Sequence, residues 1–84
     1  MHDKLYTDEQ LARAFALLPL AEKARRNVEA VAVEFHYYKD FMYLLVWIDF
    51  GEDKKSILET GTIDDEALMQ SVEDVLDGCA KGLV

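Results

Sequence analysis

The chain has 84 residues, 51% of them hydrophobic and 31% charged, with a formal net charge of −8 at pH 7. This describes one folded α+β-sized domain that buries roughly 60–65% of its unfolded surface, not a disordered segment. The negative charge argues against direct binding to nucleic acid or to an anionic membrane surface, both of them polyanions, and the single cysteine excludes an internal disulfide and fits a reducing cytoplasm.

At the N-terminus, Met1-His2-Asp3-Lys4 leads into no apolar signal core, which predicts a cytoplasmic protein. Thr7 and Gln10 then form a capping-box pattern, with Asp8 and Glu9 suited to the positive end of a helix dipole. Leu11, Ala14, Phe15 and Leu18 recur at helical spacing. Pro19 breaks or kinks that helix near Leu17–Leu18, and Leu20–Arg26 resumes as a second short helix with Asn27 as its stop.

Val28–Phe50 is a hairpin apolar on both faces. Val28–Tyr38 and Phe41–Phe50 are rich in β-branched and aromatic residues, and Lys39-Asp40 between them is the turn. Pairing outward sets Tyr38 opposite Phe41, Phe35 opposite Leu44, Val33 opposite Val46 and Ala32 opposite Trp47. Because Lys39-Asp40 is not a preferred type I′ pair, a slip of one or two residues is the alternative; a one-residue slip would exchange the two faces of the second strand and leave both apolar. One face then carries Val31, Val33, Phe35, Tyr37, Met42, Leu44, Val46, Ile48 and Phe50. The other carries Ala30, Ala32, Glu34, His36, Tyr38, Phe41, Tyr43, Leu45, Trp47 and Asp49. The longest apolar run, Phe41–Ile48, is too short to span a bilayer.

Gly51–Lys55 reads as a turn. Ser56–Thr62 is either loop or third strand, and the strand is favoured because two strands alone are marginal in water; Gly61 falls at its end or at a bulge. Thr62 or Asp64 caps a C-terminal helix with Leu68, Val72, Val75, Leu76 and Cys79 as its apolar stripe, ended by Gly78 or Gly82. The predicted fold is α+β: a small antiparallel meander of two to three strands with N-terminal and C-terminal helices packed on one face.

Two constellations point to a partner. Helices on one face leave Tyr38, Phe41, Tyr43, Leu45 and Trp47 exposed, and Trp and Tyr dominate binding hot spots. If instead one helix covers each face, the same residues are internal core; if two copies meet face to face, they form a homodimer. The second constellation is acidic. From Ser56 to Ala80 there is no basic residue, whereas Glu66, Glu73, Asp74 and Asp77 lie off the apolar stripe. Such a row can imitate the phosphates of a nucleic acid and steer association with a basic protein surface; its plainer role is a solvated, solubilising face. Lys23, Arg25 and Arg26 pair with nearby acids more readily than they form a nucleic-acid footprint.

Nothing in the chain reads as catalytic, cofactor-binding or metal-binding. Glu34, His36 and Tyr43 are neighbours, but no nucleophile or second ligand stands at metal spacing, and the commoner state is a strand histidine hydrogen-bonded to the tyrosine. No phosphate-binding glycine pattern is present. Cys79 is expected buried and inert. In size, acidity and aromatic sheet the chain is similar to small inhibitors such as nuclease-immunity proteins, antitoxins and anti-CRISPR proteins, a likeness carried by no shared motif. The expected function is a small acidic protein-binding module that inhibits an effector by blocking its basic nucleic-acid-binding surface. The alternative is a homodimeric accessory protein that pairs through its aromatic face.

Overall fold

The computed structural model describes residues 4–83. Its first helix, α1 (Asp8–Phe15), starts at a complete capping box: Thr7 Oγ1 accepts from the Gln10 N–H, and Gln10 Oε1 accepts from the Thr7 N–H. A second helix, α2 (Leu17–Ala24), follows after the single residue Ala16. The break has a local cause. Pro19 has no N–H to offer the Phe15 carbonyl, so the first helix cannot continue through it. In α2, Pro19 sits in the first turn, where an amide has no intrahelical partner to lose.

The sheet is an antiparallel meander of β1 (Ala30–Tyr37), β2 (Met42–Asp49) and β3 (Ile57–Thr62), in the order β1-β2-β3. The first pairing has the register that the Lys39-Asp40 turn demands: Ala32 opposite Trp47, Val33 opposite Val46, Phe35 opposite Leu44. The Tyr38 N–H closes the turn on the Phe41 carbonyl at 2.9 Å. The third strand is real, and it sets Leu58 opposite Trp47 and Thr60 opposite Leu45.

The last helix, α3 (Glu66–Ala80), is capped one residue later than the sequence suggests. Asp65, neither Thr62 nor Asp64, accepts from the Leu68 N–H. Its end is a Schellman turn at Gly82, which has φ +73°: the Leu83 N–H reaches the Gly78 carbonyl and the Gly82 N–H reaches the Cys79 carbonyl. Gly78 is therefore inside the helix. Asn27, read as the stop of α2, acts across the fold instead: its side-chain amide donates to the Cys79 carbonyl at 2.8 Å. This gives the Cys79 carbonyl a second donor beside the Gly82 N–H and ties the segment after α2 to the end of α3.

The core lies between the sheet and the helices. Met42, Leu44, Val46 and Ile48, the even residues of β2, are fully buried. They meet Ala14, Leu17 and Ala24 of α1 and α2, and Leu68, Met69, Val72, Leu76 and Cys79 of α3. A Cβ on Gly61 would stand 2.9 Å from Leu68 Cδ2, so glycine at this point of β3 lets α3 close down on the sheet. The helices α1, α2 and α3 thus pack on one face of the sheet. None of the described helices is long and apolar enough to cross a membrane.

Candidate functional site

The other face of the sheet has no helix on it. Tyr43, Leu45 and Trp47 alternate with the buried residues of β2 and stand outside the core cluster that the helices close. Each is half-buried only by its strand neighbours. By register the row is flanked by Ala32, Glu34 and His36 on β1 and by Leu58, Thr60 and Thr62 on β3. Leu58 is 61% exposed. It belongs to the same apolar patch as Trp47, a place the sequence alone does not reveal because it depends on how β3 pairs with β2.

Tyr38 and Phe41 continue the alternation at the hairpin end. Their rings stack at 4.5 Å between centroids, 13° from parallel, with Tyr38 54% exposed. Between this pair and Trp47, His36 meets Tyr43 edge-on at 6.0 Å. Its Nε2 lies 3.3 Å from Glu34 Oε1 and not on the tyrosine hydroxyl, because the carboxylate two residues away on the same strand face is within reach. The expected histidine–tyrosine hydrogen bond is replaced by an exposed histidine–carboxylate contact. Among the described residues, no three His, Cys, Asp or Glu side chains gather as a metal site. Cys79 lies on the inner side of α3, where burial raises its thiol pKa.

The acidic residues of α3 are not one free surface. Arg13, on α1, binds Glu73 through two parallel hydrogen bonds, Nε–Oε2 at 2.8 Å and Nη2–Oε1 at 2.6 Å, and reaches Glu66 Oε1 with Nη1 at 2.7 Å. Forked guanidinium–carboxylate geometry of this kind is the strongest form of surface ion pair. The hydrogen bond from Arg13 holds the Glu73 carboxyl below its usual range, and the two carboxylates raise the guanidinium further still. Glu66 and Glu73 therefore tie α3 to α1. Asp77 pairs with Lys81 at 2.7 Å and Asp74 accepts from Gln70 at 2.9 Å, both within the α3 segment itself. Arg25 pairs with Glu22 at 2.6 Å, the fate anticipated for the basic residues of the first third.

Asp74 and Asp77 also line one wall of a shallow groove of ≈ 360 Å³ between α3 and the α1–α2 pair, whose opposite wall is Arg13, Leu17 and Leu20. The structure thus separates two features. The aromatic row lies on the open face of the sheet, and the acids lie on the helix layer behind it. The molecule presents an uncovered, largely apolar sheet face, an exposed His–Glu contact within it, and acidic side chains on the helix layer behind. Comparison with protein-family models, with curated proteins and with solved structures finds no match.

Proposed function

We propose that the chain is a protein-binding module rather than an enzyme, and that the open sheet face is its docking surface. The observation that carries this reading is the row of Tyr43, Leu45 and Trp47 with Leu58 beside it, large apolar side chains that the molecule's own helices leave uncovered. Aromatic residues at the centre of an exposed patch are the usual anchors of protein interfaces. The partner has an apolar centre for this row and, set by a net charge of −8, a basic surround. In its most concrete form the protein is an inhibitor that covers the basic nucleic-acid-binding surface of an effector and excludes the nucleic acid. Asp74, whose partner is the neutral amide of Gln70, is better placed to contribute long-range attraction than Glu66 and Glu73, which share Arg13, while Asp77 is offset in part by the exposed Lys81.

The chain has one tryptophan, so its fluorescence reports on this face alone. With an effector captured from the host cell, titration should change Trp47 emission and shield it from a soluble quencher. The same titration should release a labelled nucleic acid from the effector. Binding that leaves Trp47 emission and quenching unaltered would remove the sheet face as the interface. Binding that engages Trp47 without displacing nucleic acid would leave a docking module with no inhibitory role.

A further inference from the structure

The sheet also has a free edge. β1 is outermost in the order β1-β2-β3, so nothing pairs with its far side within the sheet. The Tyr38 N–H donates to Phe41 across the hairpin, and backbone groups alternate along an antiparallel strand. Ala32, Glu34 and His36 therefore turn their N–H and C=O groups toward β2, and Val31, Val33, Phe35 and Tyr37 turn theirs outward. Among the described residues, no hydrogen bond from a loop or helix backbone reaches these four. On the helix side the margin is apolar as well. Phe15 and Leu18 are 38% and 47% exposed beside half-buried Val31, Val33 and Phe35, and Phe15 meets Phe35 edge-on at 5.4 Å. Natural edges are normally blunted by proline, lysine or short length. β1 has eight residues and contains neither proline nor lysine, whereas β3 has six, with Glu59 and Gly61 among them.

We propose that β1 pairs antiparallel with β1 of a second copy of this chain, about a two-fold axis at Phe35, giving a continuous six-stranded sheet. The charges along the strand select both the occupant and the register. With Phe35 opposite itself, Val33 faces Tyr37 of the second copy, and Glu34 faces His36 of the second copy, twice by symmetry. Moving the axis to Glu34 would oppose two carboxylates. The rest of the charge allows the approach. α2 is the helix over β1, and its Glu22 and Arg25 neutralise each other, while the acidic α3 packs on α2 and β3, away from this edge. The axis is perpendicular to the sheet, so both helix layers stay on one side, with Phe15 and Leu18 of each copy turned toward the seam. The Trp47 face stays open on the other side.

The test uses the full chain. Sedimentation from low-micromolar to near-millimolar concentration should show a monomer–dimer equilibrium. Residue-resolved amide hydrogen exchange should then slow about tenfold or more at Val33, Phe35 and Tyr37, the outward amides this register pairs, with Trp47 still open to a soluble quencher. Glu34→Lys should weaken self-association about tenfold, and Glu34→Lys combined with His36→Glu should restore it by reversing both members of the pair. A chain that stays monomeric throughout overturns the proposal. So does a dimer whose amides at Val33, Phe35 and Tyr37 exchange as in the monomer, or one that shields Trp47 in their place. If a variant does not fold, exchange in the unaltered chain still decides. The edge and the open face are read by different probes, so one reading can fail without the other.

Discussion

Trp47 and Leu76 are both large apolar residues, and truncating them should have opposite consequences. Leu76 is fully buried between α3 and the sheet. Leu76→Ala should cost about 2–4 kcal/mol of folding stability, and Val72→Ala somewhat less, by denaturant unfolding. A loss near zero would mean that α3 is not packed as described. Trp47 stands on the uncovered face, so Trp47→Ala should weaken partner association by about 2 kcal/mol or more while costing the isolated chain less than that. Calorimetry against the captured partner, set beside unfolding of the free chain, separates the two effects. The stripe Leu68, Val72, Leu76 and Cys79 was legible from spacing alone, but Met69, fully buried as well, was not. α3 touches both the sheet and α2, so its buried arc is wider than the stripe a single contact surface would produce.

Among the elements, the junction of α1 with α3 carries a pH dependence. Glu73 has its pKa lowered by Arg13, so the bridge stabilises the fold fully above the ordinary glutamate range and is lost as pH falls through the lowered value. Glu73→Gln should therefore cost about 1 kcal/mol at neutral pH, the upper end for a partly exposed pair with good geometry. The gap between variant and parent should narrow as pH falls below the ordinary glutamate range and close only once pH is below the lowered value, where the folded parent's carboxylate is itself protonated. Urea unfolding at pH 7 and pH 3 measures it, and a gap that stays constant would show that the bridge contributes nothing through its charge. The two arms of this bridge are 60 residues apart in the chain, which is why the acids of α3 read as an unbroken row in sequence. Local signals served better. The Thr7–Gln10 capping box and the Pro19 break are decided within one turn of helix; the box is as the residues foretell, while the break falls at Ala16, so that α2 starts at Leu17 and not at Leu20.

For the whole molecule, a net charge of −8 should act on association more than on folding. Asp74→Lys with Asp77→Lys should slow association with a basic partner by about an order of magnitude, and raising the salt should shrink that difference, since exposed charges are screened beyond about 8 Å at physiological ionic strength. Glu73 is unsuited to this test because reversing it would place a cation against Arg13 and break a structural tie. Stopped-flow mixing at two salt concentrations reads the rates. A rate indifferent to both salt and reversal would leave the acids a solubilising role only.

The sequence by itself determined whatever is settled between near neighbours: two short helices broken just ahead of Pro19, a hairpin turning at Lys39-Asp40, and a period-two alternation that makes both hairpin faces apolar. Periodicity, caps and turn length encode these without reference to distant residues. The tertiary structure decided which of two apolar faces is covered. It also decided that Leu58 joins Trp47, that Arg13 engages two of the acids of α3, and that Asn27 closes the end of α3. Each of those outcomes depends on residues brought together by packing and not by spacing along the chain. The hydrophobic effect has no direction, so the pattern of one hairpin cannot say on which side its helices will lie.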